Sequence, residues 1–95
     1  LIEKISLRNA SLAFRHFPDD DFVVAYDCVS GDTHLLTNLG YEICLILSRS
    51  ELKPSSLKQY LAQSFWVQDE STFEEAVELA LGQLEMSNLI RFHSS

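Results

Sequence analysis

Basic residues are scarce: seven Lys and Arg face fourteen Asp and Glu, leaving a formal net charge of −7. A surface of that sign repels nucleic acid and gains nothing from an anionic membrane, so neither is expected as a partner. Glycine is scarce too, at three residues, and no phosphate-cradling glycine loop is present. No G-x-S-x-G, H-E-x-x-H or C-x-x-C occurs, and His16, His34 and His93 stand singly. Nucleophilic and metal-assisted catalysis therefore lack their residue sets, and the chain reads as a non-enzyme with no cofactor and no metal. No apolar run approaches the roughly 20 residues of a membrane span, and no basic segment leads into an apolar one, which reads as cytoplasmic. Cysteine is limited to Cys28 and Cys44, both inside apolar stretches, which predicts two buried thiols in a reducing compartment rather than a disulfide. The chain opens on Leu1 rather than Met, so native residues are expected to precede it.

What remains is a 95-residue chain with 46% apolar residues, enough for one core and one domain over residues 1–95. Ile5 and Leu7 alternate with polar neighbours, as in a short strand or extended arm. Ser11–Phe17 alternates better, with Leu12, Phe14 and His16 on one side. Pro18 with Asp19, Asp20 and Asp21 reads as a turn whose carboxylates are solvated, not as a metal site. Phe22–Val29 is rich in β-branched and aromatic residues and predicts the central strand. A two-residue turn at Ser30-Gly31 or Gly31-Asp32 returns the chain as Thr33–Thr37. Both turns sort the side chains alike: Phe22, Val24, Tyr26, Cys28 and Leu35 on one face, Val23, Ala25, Asp27, Asp32, His34 and Leu36 on the other. The first face is predicted to meet the core, leaving His34 on the outer one.

Three helices follow. Asn38 is the expected N-cap of the first, over Leu39–Arg49. Ser55 is the expected cap of the second, to about Gln63, burying Leu57, Tyr60 and Leu61; Phe65-Trp66-Val67 is an apolar link beyond it. Ser71 and Glu74 have capping-box form for the third, which runs to about Ser87 with Phe73, Ala76, Val77, Ala80, Leu81 and Leu84 as its buried stripe. Asn88 is suited to end that helix in a left-handed conformation, and Leu89–Phe92 either adds a strand or packs back. The fold class predicted is α+β, a winged-helix-like three-stranded antiparallel meander followed by three α-helices, with Thr33–Thr37 as a free edge.

The segment from Val24 to Leu36, VAYDCVSGDTHLL, with the amphipathic helix directly after it, resembles the PqqD family of peptide chaperones. It is most like the subgroup in HPr-kinase-related systems, where an SGDTHLL hairpin before a helix is typical. The family usually carries a proline just after the Leu-Leu, where this chain has Asn38. The resemblance implies a RiPP recognition element: a non-catalytic domain that binds the leader segment of a ribosomally made precursor peptide and presents it to modifying enzymes. In such domains the leader adds as a strand beside the third strand, against the third helix. Carried over, the implied peptide-binding residues are Thr33, His34, Leu35, Leu36 and Thr37 on the strand, with Phe73, Ala76, Val77, Ala80 and Leu84 on the helix.

Two other classes compete. A winged helix suggests a DNA-binding regulator, but Phe73–Ser87 carries four Glu and no basic residue, the wrong charge for phosphates. An acidic interaction or dimerisation domain is the stronger rival, because an uncapped edge without Lys or Pro also pairs with a copy of itself and gives a weak homodimer.

Overall fold

The computed structural model describes residues 2–8, 12–16, 21–64 and 69–94. The expected turn at Pro18–Asp20 and the link Phe65-Trp66-Val67 lie outside them. Strands β1 (Ile2–Leu7), β2 (Leu12–His16), β3 (Phe22–Asp27) and β4 (Thr33–Thr37) precede helices α1 (Asn38–Leu47), α2 (Pro54–Ser64) and α3 (Glu70–Met86), and β5 (Ile90–Ser94) ends the series. The α+β architecture with a three-stranded antiparallel meander, β2-β3-β4, is as the patterning predicts.

β1 and β5 form a second, two-stranded antiparallel sheet, with Ile5 opposite Phe92 and Leu7 opposite Ile90. Ile5 also exchanges backbone bonds with Leu52 in the α1–α2 connection, at 2.7 and 3.0 Å. Ile5 and Ile90 are each 1% exposed, so this small sheet closes the core beneath the helices. The core itself is aliphatic: Ile43, Cys44 and Leu47 from α1, Leu57 and Leu61 from α2, Val77, Leu81 and Leu84 from α3. Tyr60, expected inside, is half exposed; α2 buries a two-residue stripe, and position 60 falls off it.

The hairpin differs from its expected form in loop and in orientation. Asp27 and Asp32 close it, with Asp27 N–H donating to the Asp32 carbonyl at 2.9 Å and Gly31 N–H to the Asp27 carbonyl at 2.8 Å. Residues 28–31 thus form a four-residue loop, and Gly31 takes the left-handed conformation (φ 80°) that suits a residue without Cβ. The Asp27 carboxylate accepts from Val29 N–H at 2.9 Å and Ser30 N–H at 3.2 Å, fixing the first half of the turn. The register, Val24 opposite Leu35 and Val23 opposite Leu36, preserves the predicted sorting of side chains because it differs from it by an even step.

The face that meets the core is the opposite of the one expected. Val23 and Ala25 are 0% exposed and Leu36 is 6%, whereas Leu35 is 69% exposed. Both faces carry apolar residues, and helix packing decides between them: small Ala25 lets α1 come close, while Tyr26 stays on the outer side. Cys28, expected buried, is exposed in the hairpin loop; Cys44 is buried. His34, expected on the outer face, lies on the core side and is half-buried.

Helix termini also shift by a residue or two. Thr37 rather than Asn38 caps α1, its hydroxyl accepting from Gly40 N–H at 3.1 Å. Asp69 rather than Ser71 caps α3, accepting from Ser71 N–H and from the Thr72 hydroxyl, both at 3.0 Å. At its other end, Asn88 has φ 61°, as its position predicts. Leu89 N–H reaches the Leu84 carbonyl at 2.9 Å and Asn88 N–H the Glu85 carbonyl at 3.0 Å, the paired bonds of a Schellman stop. Leu89 is thereby turned inward beside Leu84, and the chain is aimed back into β5.

Candidate functional site: the outer edge of β4

Among the described residues β4 is an edge of the three-stranded sheet, paired with β3 alone. The protein's last described strand is committed to β1 instead, so it does not cover that edge. The hydrogen-bond phase of the hairpin says which groups the edge offers. In an antiparallel ladder, directly opposed residues alternate between bonded and non-bonded pairs. Since Asp27 and Asp32 form a bonded pair, so do Ala25 with His34 and Val23 with Leu36. The amides and carbonyls of His34 and Leu36 point at β3. Those of Thr33 and Leu35, with the amide of Thr37, point away from it; the Thr37 carbonyl begins α1.

Beside this edge a small cleft of about 60 Å³ separates β4 from α3, with Leu35, Leu36, Thr37 and Gly40 on one side and Ala80, Gln83, Leu84 and Ser87 on the other. No charged residue lines it. Four of the five acidic residues of α3 fall elsewhere: at 100° per residue, Glu74, Glu75, Glu78 and Glu85 occupy the flank away from Ala80, Gln83 and Ser87. Glu78 in fact reaches toward α2, where Lys58 Nζ lies 3.5 Å from its carboxylate. The flank next to the cleft carries Ala76, Leu79, Gln83 and Met86, and Leu79 and Met86 are 66% and 86% exposed.

A second, wider hollow of about 410 Å³ continues past the hairpin end of β4. Ser87 borders both, and Arg8, Asp27, Asp32, His34 and Asn88 add polar lining to the second. Together they make a track along the strand that is uncharged at the α1 end and carries charged side chains at the hairpin.

Of the residues singled out from sequence, Leu35, Leu36, Thr37, Ala80 and Leu84 converge on the uncharged cleft. Thr33 and His34 extend the same strand toward the hairpin. Phe73, Ala76 and Val77 do not line the cleft. Val77 is wholly buried in the core, Phe73 is packed against it, and Ala76 is exposed on the flank above. Gly40, Gln83 and Ser87 were not singled out. Gly40 has a legible signal, a glycine one turn into a helix with no turn to make; the other two are ordinary polar surface positions in sequence.

Among the described residues no group of three or more His, Cys, Asp and Glu side chains is placed to hold a metal ion. No helix among them is long and apolar enough to cross a membrane. Burial pushes the Cys44 thiol up to about 12 from its ordinary 9.0, which keeps it a neutral thiol in the core.

No protein-family model matches the chain, and no curated protein matches it in sequence. Among solved structures it is similar to TbiB1 in complex with the TbiA(beta) leader peptide, with a TM-score of 0.65 at 20% identity over 95% of this chain and 99% of that one. At that level of identity the two share a fold: a protein whose structure was determined with a peptide bound has the same arrangement of strands and helices as this chain.

Proposed function

We propose that this protein is a non-catalytic peptide-binding domain of the RiPP recognition element type, similar to the PqqD family. It takes up the leader segment of a precursor peptide as a strand added to β4, and it holds that segment for enzymes that modify the remainder. The observation that carries the reading is the outer edge of β4, unpaired among the described residues and facing α3 across an uncharged cleft. The likeness to TbiB1, seen with a leader peptide, and the SGDTHLL hairpin support it. Thr33, His34, Leu35, Leu36 and Thr37 would form the strand side of the site, and Ala80 and Leu84, with Phe73, Ala76 and Val77 behind and above them, the helix side.

Magnitudes say what the site must supply. The outward groups of Thr33, Leu35 and Thr37 make roughly five backbone bonds, each worth about 0.5–1.5 kcal/mol net. Micromolar binding needs about 8 kcal/mol beyond an association cost of at least about 4 kcal/mol. Backbone pairing alone falls short, so side chains of the guest must bury apolar surface between β4 and α3, which also confers selectivity. The same edge pairs with a second copy of itself, and a bound peptide competes with that weak dimer.

The test is a phage-displayed library of random 12-residue peptides selected on the folded chain, followed by amide exchange of the complex. Bound peptide slows exchange at Thr33, Leu35 and Thr37 and leaves His34 and Leu36 unchanged, since these two are already bonded to β3. Protection confined to another surface refutes the assignment.

A further inference from the structure

The meander has a second edge. Among the described residues β2 pairs with β3 alone. The phase that turns Ala25 and Asp27 toward β4 turns Val24 and Tyr26 toward β2, so their partners Arg15 and Ala13 carry the bonds of that ladder. The amides and carbonyls of Leu12, Phe14 and His16 therefore point outward. Their side chains, opposite Asp27, Ala25 and Val23, lie on the core side of the sheet. Tyr41 of α1 steadies two of them, its ring centroid 5.1 Å from that of Phe14 and 4.5 Å from that of His16.

A hollow of about 300 Å³ adjoins this edge, bounded by β1, β2 and the end of α1. Its surface is mostly apolar, with Leu7, Leu12, Phe14 and Leu47 in the lining, and its charged residues are one of each sign, Arg49 and Glu51. These two do not pair with each other in the chain; Glu51 lies 3.7 Å from His93 instead. The hollow is larger than the roughly 150 Å³ cavity that admits a benzene ring, so an aromatic side chain has room there. A strand added to β2 places the residues opposite Leu12, Phe14 and His16 on this same side.

β2 itself has the side chains that such a strand needs. Two copies running antiparallel with Phe14 opposite Phe14 set Leu12 against His16 twice, and about six backbone bonds form. Each Phe14 then lies beside the hollow of the other copy. One cation and one anion at the same hollow are complementary to themselves about a two-fold axis, Arg49 of each copy facing Glu51 of the other. Charge also distinguishes the two edges. At −7 the chain repels its own copies, and α3, which flanks β4, carries five Glu; the lining beside β2 is balanced.

We propose that β2 is the edge through which two copies of this chain associate, antiparallel about a two-fold axis at Phe14. The dimer is one six-stranded sheet with a β4 edge left open at each end. Unlike pairing through β4, it does not compete with a guest, and it holds whatever β4 binds.

The experiment is sedimentation velocity on the full chain at low salt up to about 1 mM, the weakest association worth assigning, with amide exchange followed over the same concentrations. Arg49→Glu, Glu51→Arg and the double exchange are run alongside, each checked for an unchanged melting temperature; both residues are exposed. Dimer is expected to accumulate with concentration. Exchange at Phe14 slows as it does, while Ala13 and Arg15, already bonded to β3, stay unchanged. Each single variant should raise the dimer Kd about tenfold or more, and the double exchange should restore it. Glu51→Arg is the sharper of the two, because it lowers the overall repulsion and still must weaken the dimer. A monomer at the highest concentration overturns the proposal. So does a dimer that slows Leu35 and not Phe14, which is pairing through β4, and so does a double variant no tighter than the singles.

Discussion

Leu35→Pro separates the fold from its edge. The residue is 69% exposed, and its amide points away from β3, so proline removes no bond of the existing sheet. Proline is tolerated on an edge strand when its missing N–H faces outward. Loss of unfolded-state entropy favours the variant by about 0.4–1 kcal/mol, and loss of strand propensity opposes it by about as much. Stability should move by less than about 1 kcal/mol. His34→Pro, one residue earlier, is the control. Its amide is bonded to Ala25, a residue with no exposure, and orphaning that carbonyl costs about 1–3 kcal/mol. For a peptide selected on the wild-type chain the order reverses. Leu35→Pro deletes one intermolecular bond and leaves the guest carbonyl unpaired, again about 1–3 kcal/mol, or roughly 5- to 150-fold in Kd. Urea unfolding gives the stabilities and calorimetry the affinities. Equal destabilisation by the two prolines refutes the assigned hydrogen-bond phase. A folded Leu35→Pro protein with wild-type affinity refutes strand addition at β4.

Asp69→Ala removes the acceptor for Ser71 N–H and the Thr72 hydroxyl; a loss of about 1 kcal/mol in urea unfolding is expected. Leu61→Ala, at a site with no exposure, should cost about 2–5 kcal/mol, and Tyr60→Ala beside it, half exposed, should cost clearly less; equal costs would mean that α2 is rotated. At pH 8 a thiol reagent should label exposed Cys28 and spare Cys44 until the chain unfolds. Cys44 also sets an alkaline limit. Below pH 9 its thiol keeps the proton in both states; between 9 and about 12 the unfolded chain releases it while the folded chain retains it. Stability should therefore fall by about 1.4 kcal/mol per pH unit across that window, and Cys44→Ala should abolish that component of the slope.

Side-chain parity in the hairpin was legible because alternation survives any even change of register, so Leu35 and Leu36 were assigned to opposite faces although the loop is longer than expected. Which face turns inward was not. Phe22, Val24 and Tyr26 make the outer face the more hydrophobic one by composition, and only the approach of α1 onto Ala25 reveals that small residues mark the packed side. Thr37 and Asp69 cap α1 and α3 where their neighbours Asn38 and Ser71, capping residue types as well, are expected to; Asn88 has no such competitor. On α3 the helical period placed Val77, Ala80 and Leu84 on one stripe, yet a stripe says nothing about where core ends and cleft begins. That boundary falls between Val77, sealed in the core, and Ala80, which lines the cleft. The pairing of β1 with β5 left almost no local trace, since each strand finds its partner at the far end of the chain.

That pairing has a kinetic corollary. Ile2 sits opposite Ser94 and Leu7 opposite Ile90, so closing the small sheet requires nearly the full length of polypeptide to be looped first. Such distant contacts form late, after the local hairpin and helices have shortened the effective separation. Trimming a few residues from either terminus should accordingly release the other as well, exposing Ile5 and Ile90 together and loosening the floor on which the helices rest.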